Sequence, residues 1–329
     1  MSSDNIIWEQ LLLNKIASIT EQDKDGYYTV YKMNCRDGYG IRRVYRIFPG
    51  LDLVYDEFDT TDFSNVSQAQ FHEKISRDIM DIGYCREGRL ECEFSNGLYV
   101  YMGKGDFFAG LVNEYHGVNA FPMENYQGIS VYIYPDTLSQ RAPQFLKNAP
   151  LNIYQIQDKL FPGTTRFRQA GNRLEHVFLD FYRVPEPIRR AYLELKAAEL
   201  LLNLSLIDNT EENIPQEYHP KQHVEIIKRI RKQITGDIRR RHTIEELAAE
   251  HGISRTALKS CFKGVYGISI AAYMKEYRMK CAATMLRQAN SSVSDIAFNV
   301  GYKNQSKFAA AFKEIIGVSP LNYRKQLSD

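Results

Sequence analysis

The sequence predicts an α+β chain: a β-rich unit that forms a small barrel or sandwich, a helical segment, and an all-α domain at the end. Three observations predict it. Short runs rich in Tyr, Val, Ile and Phe, bounded by Gly, Asp and Asn turns, fill the region from Gly26 to Ser139. After Pro143 the apolar residues recur at helical spacing instead. A two-helix pattern then occurs twice in the last third, over Thr243–Tyr273 and Val293–Tyr323.

A length of 329 residues predicts two domains, and 44% apolar with 25% charged residues is ordinary for a globular protein. No apolar run approaches the ~20 residues a membrane helix needs, so no membrane partner is expected. Met1–Gln10 is polar and mildly acidic, unlike a signal peptide. Five cysteines without a CxxC pair fit a reducing, cytoplasmic setting.

The first predicted element is a short amphipathic helix in "NIIWEQLLLNKIASI". Strands follow in "YYTVYKMN", "IRRVYRIF", "LDLVYDEF", "RLECEFSNG", "LYVYMGKGDFFAG" and "QGISVYIYP". Many short strands at this spacing predict a small antiparallel barrel or sandwich. "TRFRQAGNRLEHVFLDFYRV" and "EPIRRAYLELKAAELLLNLSLI" then read as helices. The second is apolar over more than one stripe, so it needs cover on two sides, from its own chain or from a second subunit of a homodimer. "DNTEENIPQEYHPK", Asp208–Lys221, has the Pro, Asn and acid content of a linker.

Charge changes sign at that linker. From Lys221 onward there are 20 Lys+Arg against 9 Asp+Glu, a net of +11. Of the chain's 42 and 40, the rest holds 22 against 31, a net of −9. The basic half suggests a polyanionic partner; its plain alternative is a solvated basic surface.

In the repeat, Ala248 matches Ala297, Gly252 matches Gly301, Phe262 matches Phe312, Gly267 matches Gly317 and Tyr273 matches Tyr323. Thr243–Glu246 and Ser292–Asp295 have the form of capping boxes. Ile244, Leu247 and Ala248 form one inner face, and Val293, Ile296, Ala297 and Val300 the other. Gly252 and Gly301 close these first helices, and Ser254 and Asn304 cap the second ones. Between the units "IAAYMKEYRMKCAATMLRQ" reads as one helix, ~28 Å long at ~1.5 Å per residue. The span is close to one turn of B-DNA, about 34 Å. In "NQSKFAAAFKEIIG", Phe308, Ala311, Phe312 and Ile315 share a face, opposite Gln305, Ser306, Ala309, Ala310 and Lys313.

"TIEELAAEHGISRTALKSCFKGVYG", "RMKCAATML" and "SDIAFNVGYKNQSKFAAAFKEIIGVSPLNYRK" resemble the DNA-binding domain of AraC-type transcription regulators. The resemblance covers Gln222–Gln326 and departs at Ile270, where the second copy has Pro320. It implies a seven-helix domain with two helix-turn-helix units that read adjacent major grooves of double-stranded DNA. By position it implies base reading by Arg255, Thr256, Lys259 and Ser260, and by Asn304, Gln305, Ser306, Ala309 and Ala310. Thr256 and Ser306 could equally cap their helices. Lys263, Lys307, Lys313, Arg324 and Lys325 are the candidates for backbone phosphates.

The β segment resembles the cupin-like sensor barrel of many such regulators, and "GYCREGRLECEF", "GKGDFFAG" and "FPMENYQGISVYIYP" resemble more narrowly the pyochelin-regulator-like subgroup. Together the resemblances imply a cupin-like sensor over 1–140, a dimerisation or coupling segment over 141–207, a linker over 208–221 and the DNA-binding domain over 222–329. They imply a small-molecule effector, a homodimer and RNA polymerase as partners. Candidate ligand residues are Arg86, Arg89, Tyr99, Tyr101, Phe108, His116 and Tyr132; the two arginines could instead be exposed turn residues, and the aromatics barrel core. No metal or other cofactor is expected. The seven histidines do not form the His-x-His plus Glu cluster of a metal-dependent cupin enzyme, so the chain is not expected to be an enzyme. The competing reading is a ligand-independent or redox-responsive DNA binder, for which Cys85 and Cys92 are the candidates.

Overall fold

The computed structural model of the chain describes residues 16–35, 38–60, 79–94, 97–112, 115–161, 174–207, 218–288 and 291–326. The chain divides into two compact units, Met1–Tyr218 and His219–Asp329.

The first unit is built on antiparallel strands β1 (Ala17–Gln22), β2 (Tyr28–Met33), β3 (Tyr39–Phe48), β4 (Leu51–Asp59), β5 (Met80–Phe94), β6 (Leu98–Gly103), β7 (Phe107–Leu111), β8 (Tyr115–Ala120) and β9 (Asn125–Ile133). They run in the order β1-β2-β3-β4-β9-β5-β6, with β7 and β8 also paired to β5. Strand β5 organises the arrangement. Residues 80–88 pair with β9 and residues 80–84 with β7, whereas 89–93 pair with β6 and 91–94 with β8. Gly83 permits one of these contacts, since a Cβ there would lie 2.0 Å from the Phe108 ring.

Two sequence expectations are corrected here. Among the described residues no ladder joins β1 to the far end of the path, so the sheet is not closed into a barrel. Closure needs both edges paired; β1 pairs only β2 and exposes every residue after Ala17. Ala17–Ile19, the end of the predicted first helix, is strand. Its three residues find register partners in Met33, Lys32 and Tyr31, and that ladder prevails over a short helical period. Ile16 is a buried bend residue, and residues 5–15 of the predicted helix lie outside the described residues.

Alternation gives the sheet two apolar faces. One carries Val44, Val54, Phe58, Cys85, Val100, Phe108 and Tyr132 in a cluster of strand residues. The other carries Tyr45, Leu53, Ile82, Ile129 and Val131, and the helices cover it. These are α1 (Pro135–Arg141), α2 (Gln144–Lys147), α3 (Ile153–Leu160), α4 (Glu175–Phe181) and α5 (Arg189–Ser205), the last entered through a 3-10 turn at Glu186–Ile188. Phe178 and Phe181 of α4 and Leu193, Ala197, Leu200, Leu201 and Leu204 of α5 are buried against the strands.

Among its described residues the second unit holds seven α-helices: α6 (Lys221–Gly236), α7 (Ile244–Glu250), α8 (Arg255–Tyr266), α9 (Ile270–Gln288), α10 (Val293–Asn299), α11 (Gln305–Ile316) and α12 (Pro320–Lys325). Capping chemistry sets their starts. Thr243 Oγ1 accepts from Glu246 N–H at 3.1 Å while Glu246 Oε2 accepts from Thr243 N–H at 2.8 Å, a complete capping box. Ser292 accepts from Asp295 N–H in the same way, but its hydroxyl donates to the Asp295 carboxylate at 2.7 Å. The aspartate is one methylene shorter than glutamate, and here its carboxylate accepts a hydrogen bond from the hydroxyl. Gly267 and Gly317 end α8 and α11 with φ of 79° and 91°.

The spacer helix α9 is pinned by Arg278. This largely buried guanidinium donates from Nε to the Ile238 carbonyl at 2.8 Å and from Nη2 to the Arg240 carbonyl at 3.1 Å. The same loop meets Gly301, where a Cβ would lie 3.0 Å from the Ile238 oxygen, and Arg239 lies over the Phe298 ring at 5.2 Å. The loop between α6 and α7 is therefore clamped by α9 on one side and the α10–α11 turn on the other. Among the described residues no helix is long and apolar enough to cross a membrane.

Replacing Arg278 with Met keeps the volume and removes both donors, leaving two carbonyls to lose charge-assisted bonds. The expected loss is ~2 kcal/mol of stability, read from the urea midpoint of the second unit's unfolding. An unchanged midpoint would show that the carbonyls find other donors.

Candidate nucleic-acid interface and a cleft in the first unit

Helices α8 and α11 are built alike. Ser254 Oγ accepts from Ala257 N–H at 3.2 Å, and Asn304 Oδ1 accepts from Lys307 N–H at 2.9 Å. The caps are thus Ser254 and Asn304, and Thr256 and Ser306 sit inside the first turn with exposed side chains. Leu258, Cys261, Phe262 and Val265 bury one face of α8; Phe308, Ala311 and Phe312 bury one face of α11. The opposite faces point outward. Arg255, Thr256, Lys259, Gln305, Ser306 and Ala310 are exposed, and Ser260 and Ala309 are half-buried. The three alanines divide as the helical phase requires, with only Ala311 in the core.

The basic candidates also divide. Lys263, Lys307, Lys313 and Lys325 are exposed. Arg324 is half-buried and donates from Nη2 to the Ser291 carbonyl at 2.7 Å, tying α12 to the turn before α10. Arg255 lies 3.3 Å from Glu245 at a fully exposed site, a contact of little energetic weight. Glu314, the acid of α11, pairs with Lys275 at 2.6 Å.

In the first unit the candidate ligand residues do not converge. Phe108 and Tyr132 are buried in the strand-only cluster. Arg89, Tyr99 and Tyr101 alternate onto the other side of β5 and β6, where Tyr101 donates its hydroxyl to Glu91 Oε2 at 2.6 Å. Burial there lowers the Arg89 pKa, opposed by the Asp106 charge. The side chain of His116 lies outside the described residues. Cys85 and Cys92 are buried, and burial pushes the Cys85 thiol up to about 12 and Cys92 higher still. Thiols held this far from thiolate react slowly with oxidants.

Arg86 stands apart. The β5–β9 register slips between Cys85 and Glu87, so Arg86 is the extra residue of a β-bulge. Its guanidinium lies 4.2 Å over the Tyr182 ring. There it borders a cleft of ≈ 370 Å³ between the sheet and the α4–α5 connection. Arg43 and Tyr45 of β3, Tyr55 of β4, and Tyr182 and Arg189 also line it. Tyr55 donates its hydroxyl to the Phe181 carbonyl at 2.6 Å, and Arg189 donates to the Tyr45 hydroxyl and to Glu186. Burial raises the pKa of Tyr55 and Tyr182, keeping both as neutral phenols. Of this group the sequence singled out Arg86; Arg43, Tyr45 and Tyr55 carry no such signal, because Arg and Tyr at alternate strand positions resemble a solvated face.

Residues 247–326 match the family model described as a helix-turn-helix domain. A putative AraC-like transcription regulator of Streptomyces lividans is 36% identical over 89 residues, 27% of this chain and 29% of that protein. The match thus spans under a third of that relative's length. The HTH-type transcriptional activator AarP of Providencia stuartii is 32% identical over 111 residues, 34% of this chain and 81% of that protein. Among solved structures, the C-terminal domain of AraT, a response regulator from Geobacillus stearothermophilus, is 33% identical, with 31% of this chain and 84% of that chain covered and a TM-score of 0.30. With four-fifths of one relative covered at this identity, and a helix-turn-helix model matched over both units of the repeat, the chain belongs to the AraC-type family of transcription regulators.

Proposed function

We propose that the chain is a sequence-specific DNA-binding transcription regulator, controlled by a small molecule held in its first unit. The observation that carries the reading is the likeness of α8 and α11. Each is capped by a side chain, closed by a left-handed glycine and anchored by a buried face. Each turns a polar face outward, Arg255, Thr256 and Lys259 on α8 and Gln305, Ser306 and Ala310 on α11, and the one acid of α11, Glu314, is paired with Lys275. That combination suits close approach to base edges between phosphates.

On this reading Arg255 and Lys259 meet guanine acceptors, Gln305 pairs with adenine, and Ala309, Ala310 and the Thr256 methyl lie against thymine methyls. Lys263, Lys307, Lys313 and Lys325 neutralise phosphates and set register without reading sequence. Asn304 acts first as a cap and Arg324 first as a strut. RNA polymerase is the protein partner at the promoter, in keeping with the name activator carried by AarP, and the cytoplasm is the site of action.

A homodimer is supported by the outer edge of α5. Ile188, Leu195 and Leu202 are exposed at 54%, 67% and 42%, spaced by seven residues, with Leu206 beside them at 66%. A seven-residue apolar stripe on one helix is the seam of a helix pair, and the inner face of α5 is already buried. Two copies meeting here would present four reading helices to one operator.

Three measurements test the reading. Gln305→Ala is expected to lower discrimination between an operator recovered by selection from random duplexes and its scrambled version by ~1–3 kcal/mol. Lys313→Ala should weaken both alike and flatten the salt dependence. Equal loss on both duplexes for Gln305→Ala would refute base reading. Ala310→Trp should abolish DNA binding with the unfolding midpoint unchanged, whereas Ala311→Trp should lower the midpoint by ~1–3 kcal/mol or more by overpacking; the reverse order would show that α11 is misphased. Leu195→Lys should convert a dimer to a monomer in sedimentation equilibrium, and a sedimentation profile that stays dimeric would place the seam elsewhere.

A further inference from the structure

We propose that the cleft between the sheet and the start of α5 is the effector site, and that it takes an aromatic carboxylate. The assignment rests on the effector-control reading above and gives it a place and a chemical class. It differs from the expected site inside a barrel, because the cleft lies on the helix-covered side of the sheet, away from Phe108 and Tyr132.

The cleft carries three cations whose partners are unequal. Arg43 faces Glu57 at 3.2 Å, and Arg189 is held by Glu186 and the Tyr45 hydroxyl. Asp56 is engaged in a two-pronged pair with Arg42 at 2.6 and 2.7 Å. Arg86 has the Tyr182 ring beneath it and no carboxylate partner among the described residues. Met80, Ile82 and Tyr84 face the helices, and Arg86 follows them by alternation at the point where the β5–β9 register shifts.

Two further donors sit in the same wall. The Tyr182 hydroxyl and Arg189 Nε are buried and have no hydrogen-bond partner among the described residues. A buried donor left unmet costs ~1–3 kcal/mol, so such groups normally face an acceptor. Guanidinium donors match a carboxylate in geometry and charge. The remaining lining is the rings of Tyr45, Tyr55, Tyr182 and Phe181 with Val184 and Leu193, beside Gln127 and the two carboxylates Asp56 and Glu57, which Arg42 and Arg43 already engage. A volume of ≈ 370 Å³ admits a one- or two-ring molecule, at the lower end of the ~300–1,000 Å³ usual for small-molecule sites. An excess of donors over an aromatic floor selects an anion with a planar body.

The position also gives the ligand a lever. Arg189 opens α5, the helix whose far edge bears Leu195 and Leu202. A carboxylate that competes with Glu186 for Arg189 acts on the first turn of the proposed dimer helix.

Titration of the full-length protein with 2-naphthoate, followed by its own fluorescence and by calorimetry, tests the site. Saturable binding of one molecule per protomer is expected, at least tenfold weaker in Arg86→Gln and several-fold weaker in Tyr182→Phe, with both variants unfolding as the unsubstituted chain does. 2-Naphthylmethanol, which has the same rings without the charge, should bind at least tenfold more weakly. No saturable binding, equal affinity in Arg86→Gln, or equal affinity for the alcohol each overturns the proposal. Effector control is read separately. If 2-naphthoate binds through Arg86 but leaves operator affinity and dimerisation unchanged, the site stands and control through it falls. If it does not bind, yet a small molecule released by heat from the purified protein shifts operator affinity, the cleft assignment falls and effector control survives.

Discussion

The second unit depends on one buried charge. Arg278 sits in the middle of the spacer helix and gives its donors to two backbone carbonyls of the preceding loop. Burial disfavours the charged form and lowers its pKa, with Arg241 nearby adding to the effect. An aliphatic side chain would avoid that penalty but could not hold the loop. The loop in turn fills the space that Gly301 leaves by having no side chain. Spacer helix, loop and second helix-turn-helix are thereby fixed to one another, and the outward face of α11 acquires a defined direction. A reading helix can discriminate bases only if its own orientation is not free.

Helices α8 and α11 are anchored in the same way. Their buried faces are aromatic, with Phe262 stacked near Tyr266 and Tyr273, and Phe312 near Phe308 and Tyr323. Truncating such a ring to Ala removes ~3–5 kcal/mol, enough to anchor a twelve-residue helix that has little propensity of its own. The outward faces can then be small, because stability is supplied from behind. Ala309 and Ala310 are tolerated on the surface for that reason.

The first unit solves a different problem. Its sheet has two apolar faces, and its longest strand serves both of its halves. The β5–β9 ladder shifts register at Arg86 and ends at Gly88, and from Arg89 the strand pairs with β6 and then β8. Arg86 borders the cleft just before that change of partner. Helix α5 is likewise shared, with Leu193, Leu200 and Leu204 facing the sheet and Leu195 and Leu202 facing outward. A strand and a helix that each serve two surfaces are natural carriers of coupling between those surfaces.

Much of this was legible in the sequence. The two helices of each repeat and the spacer between them, their caps, the glycine stops and the division of Ala309, Ala310 and Ala311 follow from interactions within one or two turns, which local residue order decides; the helices at Lys221–Gly236 and Pro320–Lys325 are implied by the resemblance alone. Strands β2, β3, β4 and β9 follow from alternation for the same reason. The open sheet, the strut role of Arg324 and the cleft were not legible. Whether an alternating Arg or Tyr faces water depends on what packs over it, and here the covering groups are distant in the chain: Tyr55 bonds a carbonyl 126 residues away, and Tyr45 meets an arginine 144 residues away. The sequence by itself determined helices α8 and α11, because periodicity and capping are local. Only the tertiary structure decided where three arginines and three tyrosines of the first unit meet, because long-range burial turned what looks like a wet strand face into a wall.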